Sequence, residues 1–170
     1  MTSQDLCRSC GLCCDGTLFG YVRVAETDDP SQLAAMGLVV DDGPSGLRFA
    51  QPCPAFAGDC CQVYDQRPGK CRLFRCRLLK DVEAGRANLD EATDVVKRAR
   101  LLRDQVVAAF RDAAAIEPTA PPLALSTIIA RTPSVADIQQ DPSLGSRWAK
   151  VVLPLKVLRE LLARRFEKER

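Results

Sequence analysis

The chain has 170 residues, a formal charge of +2 and 46% hydrophobic residues, ordinary values for one globular domain or one domain plus an appendage. Nine residues are cysteine and none is histidine, so a mixed Cys/His zinc site and an open three-histidine catalytic site are both excluded. The charge counts each thiol as neutral and gives no ground for a nucleic-acid partner. The first residues, Met1 to Cys7, carry neither a basic start nor an apolar run of signal-peptide length. No stretch approaches the roughly 18 apolar residues of a membrane span. A cytoplasmic, reducing environment is expected, in which nine cysteines point to metal or redox chemistry rather than disulfides.

In chain order, Thr17 to Val24 is β-branched and aromatic and reads as a strand. Asp29 to Met36 reads as a short helix opened by Asp-Pro-Ser and stopped by Gly37. Leu38 to Val40 and Leu47 to Ala50 flank a glycine- and proline-rich turn and predict a hairpin with a longer loop. That turn, ending at Gly46, is no phosphate cradle, because no Lys-Ser or Lys-Thr follows it.

From Leu73 the pattern becomes helical. Leu89, Ala92, Val96, Ala99, Leu102, Val106, Phe110 and Ala113 recur at steps of three and four, predicting one long amphipathic helix capped by Asn88 or Asp90. Glu117 to Pro122 ends it. A short helix follows around Leu123 to Arg131, and Thr132-Pro133-Ser134 opens another. Ser143 to Arg170 reads as a final helix kinked at Pro154, with Trp148, Val152, Leu155, Leu158, Leu162 and Phe166 as its buried stripe. The expected fold class is α+β, with a small cysteine-rich metal-binding module of short strands over residues 1–80. A helical region over 81–170 is expected to pack on it or to mediate association, including a homodimer.

The cysteines carry the chemistry, and all nine lie between Cys7 and Cys76. One cluster is Cys7-x2-Cys10-x2-Cys13-Cys14; the other comprises Cys53-Pro54, Cys60-Cys61 and Cys71-x4-Cys76. Cysteines two residues apart can curl around one metal centre with backbone N–H groups turned toward the sulfurs, so the spacing recurs in zinc and iron–sulfur sites. Three such positions in a row match the run that wraps one face of a cubane cluster, although Cys14 directly after Cys13 departs from the ferredoxin spacing. Adjacent side chains in extended backbone point to opposite sides. Cys13 and Cys14 therefore serve two centres, or one ligates and the other packs, and the same holds for Cys60 and Cys61. Two four-sulfur sites and one cluster with spare thiols both remain open. In either case the first cluster needs a fourth ligand from Cys53, Cys61, Cys71 or Cys76, so the two clusters are expected to share metal.

These motifs resemble the CxxCxxCC cysteine-cluster family (YkgJ-like), a zinc- or iron-chelating domain. The resemblance rests on Cys7 to Cys14, on Cys53-Pro54 and on the run Cys61-Gln-Val-Tyr64-Asp-Gln-Arg67-Pro68-Gly-Lys-Cys71-Arg72-Leu-Phe74, and it covers residues 5–78. It implies metal ligation by Cys7, Cys10, Cys13, Cys14, Cys53, Cys61, Cys71 and Cys76, with Cys60 the extra thiol. Similar motifs occur in flagellin lysine methylases, which are associated with an iron–sulfur cluster and S-adenosylmethionine. That kinship favours an iron–sulfur cluster, 4Fe-4S, over Zn as the cofactor.

Arg67 and Arg72 bracket Cys71 and are candidates to offset thiolate charge, with pairing to Asp65 or Asp59 as the alternative. Tyr64 reads as a packing residue. Lys97, Arg98, Arg100 and Arg103 make a basic patch that reads as a solvated helix face, and no nucleic-acid or membrane partner is expected. The function expected is metal binding through clustered thiolates. The alternatives are an iron–sulfur-dependent modification enzyme of methyl-transfer or redox type, and a zinc-stabilised partner-binding scaffold.

Overall fold

The structure is a computed structural model and describes residues 2–167. Helix α1 (Ser3–Cys10), unanticipated from sequence, is held by a reciprocal cap: Thr2 Oγ1 accepts from Asp5 N–H at 3.2 Å, and Asp5 Oδ2 accepts from Thr2 N–H at 2.7 Å. Strand β1 (Tyr21–Arg23) is shorter than the expected Thr17 to Val24. The backbone before it bonds elsewhere. Leu18 N–H donates to Leu12 O at 2.9 Å and Thr17 N–H to Asp15 Oδ1 at 2.9 Å, so these residues belong to the cysteine turn.

Helix α2 (Pro30–Ala35) begins where Asp29 caps it and Pro30 presets its first turn, and Gly37 follows at φ 76°. Strands β2 (Val40–Gly43) and β3 (Gly46–Ala50) form a hairpin. Its loop is tighter than expected: Gly43 pairs with Gly46, leaving only Pro44 and Ser45 between the strands. The order β1-β3-β2 is antiparallel and places Phe49 opposite both Val22 and Val40. Phe49, Leu33 and Leu38 form a small core beneath this sheet. A second two-stranded ribbon pairs β4 (Phe56–Ala57) with β5 (Cys60–Cys61).

The helical part contains α3 (Gly69–Leu73), α4 (Arg77–Glu83), α5 (Leu89–Ala113), α6 (Leu125–Arg131), α7 (Val135–Gln140) and α8 (Pro142–Arg165). Asn88 Oδ1 caps α5 by accepting from Glu91 N–H at 2.8 Å. The expected stripe of α5 is buried at Ala92, Val96, Ala99, Val106, Phe110 and Ala113, with Leu89 and Leu102 half-buried. Helix α8 runs through Pro154 as one element and buries Trp148, Val151, Leu155, Leu158 and Leu162. Val151 thus takes the place expected for Val152, which is half-buried; the last three residues of the expected helix lie outside the described ones.

Phe166 is buried just beyond α8, and Phe110 and Trp148 meet edge to face at 5.7 Å between centroids. Leu6, Leu12 and Leu78 join this same large core, so the cysteine-bearing segments rest directly on α5 and α8. The result is α+β, with the small sheets and the cysteines in the N-terminal half and helices after them. No described helix is long and apolar enough to cross a membrane.

Candidate metal centre

Distinct local devices bring the cysteines together. On α1, residues three apart share a face, so Cys7 and Cys10 present their thiols together. Gly11 ends the helix at φ 71°, a left-handed conformation that favours glycine, and its carbonyl accepts from Cys14 N–H at 2.7 Å and Asp15 N–H at 2.9 Å. This turn folds Cys13 and Cys14 back beside the helix end. Arg103 of α5 reaches the buried Asp15 at 3.5 Å and anchors the turn to the helical core. Cys53 N–H donates to Cys14 O at 2.7 Å, tying the second cluster to the first. Cys76 caps α4, its Sγ accepting from Leu79 N–H at 3.4 Å.

Cys7, Cys10, Cys13, Cys14, Cys53, Cys61, Cys71 and Cys76 all line one cavity of about 710 Å³. Cys60 does not. It lies beside Cys61 on β5, where successive side chains face opposite ways, and its sulfur accepts from Gln62 Nε2 at 3.2 Å. All nine cysteines are unpaired.

The cavity opposes negative charge on most of these sulfurs. Burial pushes Cys10 and Cys71 up to about 12 and raises Cys13, Cys53 and Cys76 as well. The Cys14 thiol is hydrogen-bonded to Cys61, which raises Cys14 and lowers Cys61; Val63 N–H and the charges of Arg67 and Arg8 lower Cys61 further. A cation that displaces the thiol protons offsets the cost of burying negative charge on these sulfurs.

Three guanidinium groups, those of Arg8, Arg23 and Arg67, and the Lys70 ammonium group line the cavity. Arg67 lies 3.5 Å above the Tyr64 ring and donates from Nε to Tyr64 O at 2.6 Å, and Arg8 sits 5.8 Å from the same ring. Arg72 faces a separate polar recess formed with α2, so of the two arginines that bracket Cys71 only Arg67 lines the cysteine cavity. Asp59, a candidate partner for them, pairs instead with Arg100. In the basic patch, Lys97 pairs with Asp94 at 3.4 Å, and Arg103 with Asp15 and with Asp104 at 2.9 Å. Sequence reasoning missed Arg8 and Asp15. Arg8 lies inside the first Cys-x2-Cys and Asp15 directly follows Cys14, so nearness in the chain was the available signal.

Among the described residues, no three Cys, Asp or Glu side chains converge closely enough to hold a single ion as they stand. The thiols line walls around a shared space. As a donor set they suit a soft metal, being all sulfur with no imidazole. Backbone N–H groups turn toward them, Leu12 to Cys10, Ala55 and Phe56 to Cys53, Val63 to Cys61 and Leu79 to Cys76, as anionic metal–thiolate groups require.

Fold and site together define an α+β protein built around a thiol-lined chelating pocket. Its first 96 residues carry a specific signature: the CxxCxxCC family, described as "Putative zinc- or iron-chelating domain", matches residues 6–96. The chain belongs to this family. The match takes in all eight cavity cysteines together with Arg8, Asp15, Tyr64 and Arg67, and ends at Val96, which also lines the cavity. Comparison with curated proteins and comparison with solved structures each gave no match. Metal binding is the function that membership of this family supports.

Proposed function

We propose that this protein binds iron–sulfur through thiolates drawn from Cys7, Cys10, Cys13, Cys14, Cys53, Cys61, Cys71 and Cys76. The supporting observation is that all eight line one cavity while no three of the described acidic or thiol groups converge on a point, an arrangement suited to a ligand larger than a bare ion. The run Cys7-x2-Cys10-x2-Cys13 fits one face of a cubane. Zinc is the second reading, favoured by the same all-thiolate donor set, and it would serve as a redox-inert cross-link. A bound cluster supplies one-electron redox chemistry, whereas the chain's own groups contribute the N–H donors and the charges of Arg8 and Arg67 that stabilise thiolate. Nine unpaired thiols also fit a reducing, cytoplasmic setting.

Metal and sulfide analysis of anaerobically purified full-length protein, with its visible spectrum, tests the reading. Brown protein with iron and acid-labile sulfide is expected. Colourless protein with stoichiometric zinc would replace the cluster by zinc, and protein free of both would overturn metal binding through these thiols.

A further inference from the structure

We infer that the eight thiols form two separate four-cysteine centres, Cys7/Cys10/Cys13/Cys76 on the helical core and Cys14/Cys53/Cys61/Cys71 on the sheet side, each drawing on both sequence clusters. This rests on the proposed metal binding and deepens it, since nothing in the family description divides the ligands.

Packing makes the first division. Cys10 and Cys76 lie against the large core of α5 and α8, whereas Cys53 and Cys71 lie against the small core of Leu33, Leu38 and Phe49. Local geometry assigns the others. Cys7 shares a face of α1 with Cys10, and α1 packs on α4, whose first turn Cys76 caps. Cys14 is tied to the opposite side by Cys53 N–H, which donates to its carbonyl at 2.7 Å, and Cys61 is joined to Cys53 through Phe56, whose N–H donates to Cys53 O at 3.0 Å and which pairs with Cys61 in the β4–β5 ribbon.

Cys13, the remaining thiol, supplies the fourth ligand that Cys7, Cys10 and Cys76 need to close a centre. The Cys13–Cys14 peptide is therefore the boundary. The doublet is explained by two adjacent residues serving different centres, and a single cubane with spare thiols is the arrangement this geometry argues against.

The shared ligand chemistry is a soft cation or cation cluster held by four thiolates, with one proton released from each thiol that becomes a ligating thiolate. Iron-plus-sulfide and zinc assays on the same samples distinguish the two sources.

The test compares metal content of full-length wild type, Cys13→Ser and Cys14→Ser, prepared anaerobically, with mass-spectrometric mapping of thiols open to alkylation under native conditions. Each variant is expected to keep about half the wild-type metal. In Cys13→Ser the newly reactive thiols should be Cys7, Cys10 and Cys76; in Cys14→Ser they should be Cys53, Cys61 and Cys71. Neighbouring positions serve as each other's control for general damage to the turn. Loss of all metal from either variant while it remains folded, or the same reactive set in both, would overturn the division. Should a variant not fold, graded chelation of wild type gives the same reading, because the thiols should open in two groups of four. Eight opening together would sink the proposal. Wild type without metal is a different failure, that of metal binding itself, and would remove both.

Discussion

The turn after α1 admits a sharp test at Gly11. This residue has φ 71°, and a Cβ built there would lie 2.7 Å from Phe56 Cε2 and 3.3 Å from Cε1, with Cζ nearer still. Gly11→Ala therefore meets two penalties: left-handed backbone, about 1–2 kcal/mol for an L-residue, and overpacking, about 1–3 kcal/mol. Reduced freedom of the unfolded chain returns about 0.4–1 kcal/mol. At the middle of these ranges the net cost is about 3 kcal/mol, or roughly 100-fold in the folding equilibrium. Gly85 is the control, with φ 70° and nothing within 4 Å of its Cβ position, so Gly85→Ala should show only the backbone part, about 1 kcal/mol net.

The Phe56 ring must shift to relieve the clash, and because Phe56 is paired with Cys61 in the β4–β5 ribbon the shift should also lower metal content. The assay is urea unfolding of holo-protein at matched metal concentration, with metal content measured before unfolding. Combining Gly11→Ala with Phe56→Leu should cost less than the sum of the single changes, because the contact is relieved. Equal destabilisation by Gly11→Ala and Gly85→Ala, with metal content unchanged, would refute the argument.

Chelation should strip hydrogen-exchange protection from β1, β2 and β3, whose core is three side chains, while α5 and α8 retain more of theirs; equal loss in both regions would contradict this. Cys60→Ser should keep nearly full metal stoichiometry and Cys61→Ser should lose metal, as the cavity contains only the latter; metal analysis of the two variants decides, and the opposite result would shift the ligand assignment by one residue. Arg103→Leu leaves the buried Asp15 carboxylate without its cation, and should destabilise by about 1–3 kcal/mol, less than a fully buried pair because Arg103 retains some exposure. Chemical denaturation measures it, and a change near zero would show that solvent already screens the pair.

What could be read from sequence followed the strength of the local signal. The α5 stripe was legible because six of its eight apolar positions are buried on one face and both ends carry strong stop or start signals, Asn88 and the prolines after Glu117. Helix α1 was hidden by its cysteines, which are poor indicators of helical period, although Thr2 and Asp5 supplied a capping box. The strand expected from Thr17 was shortened by tertiary bonds to Leu12 and Asp15, partners that β-propensity cannot anticipate. At the site, spacing and family resemblance marked the eight cysteines that the cavity gathers. Arg8 and Asp15 escaped because their roles depend on Tyr64 and Arg103, distant in sequence.

The two cores give the two thiol sets unequal starting points. Cys10 and Cys76 rest on a core that includes Val106, Phe110, Val151, Leu158 and Phe166, burial that no metal is needed to maintain. Cys53 and Cys71 rest on Leu33, Leu38 and Phe49, and Cys61 sits in a two-residue strand. A short ribbon and a three-residue core are marginal without further restraint. Binding at the sheet-side set must therefore order backbone as well as ligands, and that cost is subtracted from its affinity. The helical-core set is already ordered and loses less on binding. Graded chelation should consequently open Cys14, Cys53, Cys61 and Cys71 to alkylation before Cys7, Cys10, Cys13 and Cys76. If the order were reversed, the sheet side would have to be rigid without metal, and the unequal cores would not be what sets affinity.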